Sequence, residues 1–211
     1  MSTMMTKGKF IVIEGGDGAG KDTQIDLLKK DFPETSGFVY RRDPGGTALG
    51  MKLREVTQYG ERVAKQTELL LFLASRAQLV QELILPSLRE GKNVICNRFD
   101  LSTYAYQIYG RQRLDIREDI LTMSRFARGE AIPDLVILLD VPPMIGHERS
   151  IARGEKLTRF EQEELAFHER VRQGYLESAK EYPHVVIIDA ARPIEEVYKE
   201  VQAAVADMLN T

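Results

Sequence analysis

Lys9-Phe10-Ile11-Val12-Ile13-Glu14-Gly15-Gly16-Asp17-Gly18-Ala19-Gly20-Lys21-Asp22 runs from an apolar stretch through a glycine-rich turn into the start of an amphipathic segment. Lys9–Glu14 reads as a buried strand and Lys21–Asp31 as a helix. Between them lies G-x-x-x-x-G-K, in the strand–turn–helix setting that gives this pattern a physical meaning. Glycines admit backbone conformations that aim successive N–H groups inward and so form a concave anion site. The helix start adds its positive end, and Lys21 a mobile cation for the outer phosphates of ATP. Gly15, Gly16, Asp17, Gly18, Ala19, Gly20 and Lys21 are therefore candidate ATP-binding residues. The pattern normally ends in Ser or Thr, whose hydroxyl binds Mg²⁺. Here Asp22 takes that place and Thr23 follows. One residue rotates a helical side chain by ~100°, which favours Asp22 over Thr23 for the metal.

Further along, apolar runs alternate with amphipathic segments. Strands are expected at Phe38–Arg41, Asn93–Cys96, Leu135–Asp140 and Val185–Asp189. Helices are expected at Thr47–Gln58, Thr67–Leu85 (stopped by Pro86), Asp115–Ala127, from about Pro143, Glu161–Glu181 and Ile194–Leu209. Strands this apolar must be covered on both faces, as in a parallel sheet flanked by helices. The expectation is one three-layer α/β domain over residues 1–211, with five parallel strands.

A net charge of −3 argues against a nucleic-acid binder, whose footprint is a strongly basic face. No apolar stretch reaches the roughly 20 residues of a membrane span, and Met1–Lys9 lacks the apolar run of an export signal. The lone Cys96 excludes an internal disulfide and fits a reducing compartment, hence a cytoplasmic location. Cys96 itself reads as a small core residue. His147, His168 and His184 are scattered, with no zinc-site spacing.

Four more segments identify a family. They are Arg42-Asp43-Pro44-Gly45-Gly46-Thr47, Leu71–Gln78 (LFLASRAQ), Asn97–Gln107 (NRFDLSTYAYQ), and Arg149–Glu163, which contains Ala152-Arg153-Gly154-Glu155 and Thr158-Arg159-Phe160-Glu161-Gln162-Glu163. Together with the phosphate loop, they make the chain resemble bacterial-type thymidylate kinases over nearly its whole length. The resemblance implies a P-loop kinase fold with a short lid at about 149–163, ATP and Mg²⁺ as cofactors, transfer of the γ-phosphoryl group of ATP to dTMP, and a homodimer. Another pyrimidine deoxynucleotide acceptor, and a relative that binds nucleotides with impaired catalysis, stay open as alternatives.

It also implies residue roles. Asp17 approaches the acceptor's 3′-hydroxyl, Phe72 stacks on the base, Arg76 reaches a base carbonyl and Thr103 hydrogen-bonds the base edge. Tyr106 lies under the sugar and crowds a 2′-hydroxyl. Arg98 grips the acceptor phosphate with Arg42 nearby, and Ser102 and Gln107 belong to the same acceptor segment. Leu53 contacts the base or simply packs in the core. Gly18 has no side chain where some members carry a basic residue, so Arg149, Arg153, Lys156 and Arg159 of the lid become the candidate catalytic and ATP-side cations. For each of these four, a solvated surface charge is the competing reading. Lys21, Arg98, Arg153 and Arg159 are the expected catalytic set, with Arg192 beside the adenine. Asp140 is either near the phosphates or capping a turn.

Three positions depart from the family pattern: Asp22, Asp43 where Glu is usual, and Asn97 where Asp is usual. If Asp22 binds the metal and Asn97 supports its shell, a carboxylate has exchanged places with a neutral group and the charge around Mg²⁺ is preserved.

Overall fold

The computed structural model describes residues 7–61, 63–154 and 156–211. Five parallel strands form its sheet: β1 (Phe10–Gly15), β2 (Phe38–Arg42), β3 (Asn93–Asn97), β4 (Leu135–Asp140) and β5 (Val185–Asp189), in the order β2-β3-β1-β4-β5. Alternation along β1 sorts its side chains between two cores. Phe10 and Val12 join Val94, Cys96, Val136 and Leu138 on one face, and Ile11 and Ile13 join Ile95, Ile137 and Leu139 on the other. Helices α1 (Lys21–Asp31) and α9 (Ile194–Leu209) cover the second face. The first is covered by α3 (Lys65–Leu79) with its extension and by α8 (Leu165–Glu181). At the edge, β5 is less buried than its apolar sequence implies, with Ile187 51% exposed.

Pro86 does not stop the long helix. α3 passes through a π-helical turn, Val80–Ile84, into α4 (Leu85–Arg89). Proline lacks an N–H and crowds the carbonyl four residues back, and the widened turn just before it absorbs both defects. Lys65–Arg89 is thereby long and apolar enough to cross a membrane by length and composition, although charged residues at Glu68, Arg76 and Glu82 interrupt its apolar runs. In this fold Leu69, Leu73, Leu79, Ile84 and Leu88 face the protein core.

The helix expected from Glu161 begins at Leu165. Thr158-x-x-Glu161 forms a closed turn of its own: the Thr158 N–H donates to Glu161 Oε2 (2.8 Å), and the Glu161 N–H to Thr158 Oγ1 (3.2 Å). Helix α2 (Ala48–Tyr59) is capped by Thr47 Oγ1, which accepts from the Gly50 N–H at 2.9 Å. A short helix α5 (Asp100–Thr103) runs on as a π-helix over Tyr104–Gly110, followed by α6 (Arg117–Arg128) and, after β4, by α7 (Pro143–Ala152). Strand register sets Ile13 beside Asn97 and Asn97 beside Arg42, so the carboxyl ends of three strands deliver their residues to one place.

Candidate active site

A cleft of 960 Å³ opens over those strand ends, ample for nucleotides. Eight cations (Lys21, Arg42, Arg54, Arg76, Arg98, Arg149, Arg153, Arg192) and five carboxylates (Asp17, Asp22, Asp43, Glu161, Glu195) line it. Net positive lining in a chain of net charge −3 concentrates attraction for a polyanion in this cleft.

The loop at its floor uses left-handed backbone at Gly18 (φ 70°) and Gly20 (φ 83°). A Cβ on Gly18 would lie 2.0 Å from the Gly146 carbonyl oxygen on α7, so the loop packs on that helix through bare backbone. Lys21 Nζ donates to the carbonyls of Gly15 (3.0 Å) and Gly16 (2.6 Å). Burial, then the neighbouring Arg98 charge, pushes its pKa well below the ordinary value, despite Asp17 and Glu14.

Arg98 is the pivot of the acceptor side. It follows β3 in left-handed backbone (φ 68°), a conformation that costs a non-glycine residue about 1–3 kcal/mol. Its guanidinium donates to the Gly15 carbonyl (2.8 Å), Tyr175 OH (2.8 Å), Ser102 Oγ (3.3 Å), Asp17 Oδ1 (2.7 Å) and Tyr106 OH (3.1 Å). Tyr106 OH in turn donates to Asp17 Oδ2 at 2.9 Å. Burial raises an acid's pKa, but at Asp17 it is outweighed by Arg98 and Lys21, which hold the carboxylate below its usual value. Beneath Arg98, Glu14 accepts from the Phe99 and Ser102 N–H groups and from the Ser102 and Tyr175 hydroxyls. Burial raises its pKa in spite of them.

Deeper in the pocket, Arg76 is 3% exposed. It donates to Asp43 Oδ2 (2.6 Å), Thr103 Oγ1 (2.8 Å), Ser124 Oγ (3.2 Å) and the Phe99 carbonyl (2.9 Å). Asp43, shorter than Glu by one methylene, still reaches Arg76 with one oxygen, while its Oδ1 is buried with no hydrogen-bond partner. Phe72, Ser102, Thr103, Tyr106 and Gln107 line the same half of the cleft.

Asp22 Oδ1 accepts from Asn97 Nδ2 at 2.8 Å and from Arg42 Nη2. Burial and the nearby Arg54 and Arg98 lower the Arg42 pKa to about 10. Among the described residues no three of His, Cys, Asp and Glu cluster as a metal cage. That donor set fits Mg²⁺, a hard cation usually held by one or two carboxylates, waters and substrate phosphates. Asp22 would hold it, with Thr23 also on the cleft wall.

Several expectations need correction. Arg159 is absent from the cleft lining: it donates to Glu68 Oε2 (3.2 Å) and to the Thr57 carbonyl (3.3 Å). Leu53 does not line the cleft either, since the next residue, Arg54, is the one that α2 turns inward. Asp140, instead of capping the following turn, makes a two-pronged pair with Arg172 at 2.7 Å and 2.7 Å. Of the lid cations, Arg153 lines the cleft and donates to Glu161 Oε1 (2.7 Å), and Arg149 lines it and donates to the Ala190 carbonyl (2.9 Å). Arg192 lies at its edge, paired with Glu200 (2.7 Å). Cys96 is buried, and burial raises its thiol pKa well above the usual value.

Sequence reasoning missed Glu14, Arg54 and Tyr175. Only Glu14 carried a signal, a carboxylate ending an apolar strand next to the glycine turn.

The chain matches a family model described as Thymidylate kinase over residues 13–201. The thymidylate kinase of Shewanella amazonensis is 40% identical over 207 residues, covering 96% of this chain and 98% of that protein. That of Pelotomaculum thermopropionicum is 45% identical over 210 residues, covering 97% and 95%. The crystal structure of thymidylate kinase from Ehrlichia chaffeensis superposes with a TM-score of 0.74 at 32% identity, over 94% of this chain and 99% of that one. Sheet order, phosphate loop and cleft thus agree with a phosphotransferase of the P-loop kinase fold, and the chain belongs to the thymidylate kinase family.

Proposed function

We propose that the chain transfers the γ-phosphoryl group of ATP to dTMP, giving dTDP and ADP. The observation that carries this reading is the Arg98–Asp17–Tyr106 constellation between the phosphate loop and the Arg76 pocket. Phosphoryl transfer asks for alignment and charge neutralisation more than covalent chemistry. Arg98 and Arg42 hold the acceptor phosphate, Lys21 the outer phosphates of ATP, and Arg153 and Arg149 close from the lid side. Asp22 would hold Mg²⁺, which would supply positive charge to offset that of the phosphates. Four of the five Arg76 N–H groups have protein acceptors, which fixes the guanidinium. Thr103 Oγ1 accepts one of them, so its own proton is free to be donated to a base carbonyl. A carbonyl at that edge suits thymine or uracil and opposes the amino group of cytosine. Tyr106, fixed by Arg98 and Asp17, leaves no room to move aside for a 2′-hydroxyl.

We further read the chain as one domain working in a reducing, cytoplasmic compartment. It pairs as a homodimer through a face that includes the exposed Leu49 and Val56, on one face of α2, and Leu70 of α3. ADP release against a panel of nucleoside monophosphates tests the assignment. The order expected is dTMP above dUMP, with UMP and CMP poor; comparable kcat/KM for UMP and dTMP refutes the sugar discrimination.

A further inference from the structure

Glu68 lies on α3 one turn before Phe72 and is 1% exposed. Its Oε1 accepts from Gln107 Nε2 (3.1 Å) and Arg111 Nε (2.9 Å), and its Oε2 from Arg111 Nη2 (2.9 Å) and Arg159 Nη2 (3.2 Å). One buried carboxylate thus joins α3 to the end of the π-helix and to the segment before α8. Arg111 also pairs with Glu163 and lies over the rings of Phe160 (5.2 Å) and Phe167 (4.9 Å). Two arginines and two glutamates balance in charge. Arg159 is tied down further, its N–H donating to the Gln58 carbonyl at 2.9 Å. Phe160, inside the closed Thr158–Glu161 turn and next to Arg159, lines the cleft. Its ring sits 5.7 Å from that of Phe72 and 5.7 Å from that of Tyr106.

We propose that Glu68 is a positioning residue that clasps the 158–163 segment onto the acceptor half of the cleft. The clasp makes Phe160 a wall of the nucleoside pocket and Arg159 an anchor rather than a phosphate ligand. Geometry and charge carry the argument. For Arg159 to reach the transferring phosphoryl group it would have to leave a buried carboxylate, which would then keep Arg111 as its one cationic partner. Moving Phe160 would separate it from the two rings assigned to the base and the sugar. The proposal rests on the dTMP kinase reading given above.

The test compares wild type with Arg159→Met, Glu68→Gln, Phe160→Ala and Phe160→Leu. It uses steady-state kinetics and amide hydrogen exchange of residues 156–164 with and without dTMP. Arg159→Met is expected to raise the KM for dTMP about tenfold, leave the KM for ATP within about twofold, and keep kcat within about threefold. Protection of 156–164 by dTMP is expected in wild type and lost in Arg159→Met and Glu68→Gln. Phe160→Leu should recover part of the dTMP KM lost in Phe160→Ala. A kcat loss of about 100-fold in Arg159→Met with unchanged dTMP KM would make Arg159 a phosphate ligand and overturn the clasp. So would Phe160→Ala with dTMP KM within about twofold of wild type. If Glu68→Gln does not fold, Arg159→Met, altered at the more exposed end of the same contact, decides alone. A wild type that gains dTMP-dependent protection yet does not phosphorylate dTMP refutes the kinase reading while supporting the clasp.

Discussion

Gly18 is where the phosphate loop has least room, and Gly18→Ala exposes why. A Cβ there would stand 2.0 Å from the Gly146 carbonyl oxygen, and real Cβ atoms essentially never come within 3.0 Å, so something must move by at least 3.0 − 2.0 = 1.0 Å. Left-handed backbone adds ~1–2 kcal/mol for any L-residue with a side chain. Forcing extra volume into a packed contact adds ~1–3 kcal/mol. The sum is roughly 2–5 kcal/mol. Borne by the whole fold, it lowers Tm by roughly 4–20 °C at ~2–4 °C per kcal/mol for a chain of this size. If the loop yields instead, ATP affinity falls by about 30- to several-thousand-fold at ~1.4 kcal/mol per tenfold. Two controls separate the contributions. Gly20 is left-handed with nothing within 4 Å of its Cβ, so Gly20→Ala carries the backbone cost alone. Gly16 has neither constraint, and Gly16→Ala is expected to leave Tm nearly unchanged. Thermal melts with ATP titration calorimetry measure both outlets. Gly18→Ala with Tm within about 1 °C and ATP affinity within about twofold of wild type refutes the reasoning. By the same geometry, Gly18→Arg cannot move a catalytic arginine into the loop to rescue Arg153→Ala.

Three further outcomes follow from the cleft. Arg153→Ala should cut kcat about 100-fold or more while ATP affinity changes far less, as steady-state kinetics and calorimetry would show. Asp22→Thr should weaken Mn²⁺ binding to the ADP complex, measured by electron paramagnetic resonance. Asn97→Asp should harm turnover, and the double variant should recover much of both losses; purely additive losses sink the exchanged-carboxylate idea. Asp17, held below its ordinary pKa of 3.8, contributes stability that is present above that pH and lost as pH falls through its folded value. Asp17→Asn should therefore melt below wild type at pH 6, with the gap closing toward pH 3; a gap independent of pH contradicts the ion pair with Arg98.

The phosphate loop was legible because its chemistry is local: one strand, one turn and one helix start within fourteen residues. Arg98, Arg76 and Thr103 were placed through family motifs, yet what fixes them is long-range. Arg76 meets Thr103 across 27 positions and Arg98 meets Asp17 across 81. No periodicity encodes such meetings. Arg159 was misjudged because a position in the lid says nothing of which way the side chain turns, and a buried Glu68 on a distant helix decides that. Leu53 and Arg54 differ by one residue, hence by ~100° on the helix, and the resemblance that set Leu53 against the base missed the residue that lines the cleft. Pro86 misled because a stop signal assumes a regular ladder, and the π turn before it had already opened that ladder.

The cations around the cleft have a consequence for the protein's lifetime in a cell. Burial and then Arg98 depress the protonation of Lys21, and burial, Arg54 and Arg98 that of Arg42, so the folded chain carries strain at these two cations that its own carboxylates only partly offset. A bound nucleotide acts as their counter-ion, and anything that binds the folded chain alone shifts the folding equilibrium toward it, by ~2.7 kcal/mol at a hundred times its dissociation constant. Turnover of the polypeptide by proteases should then follow the nucleotide pool, slow when nucleotides are plentiful and faster when they are depleted.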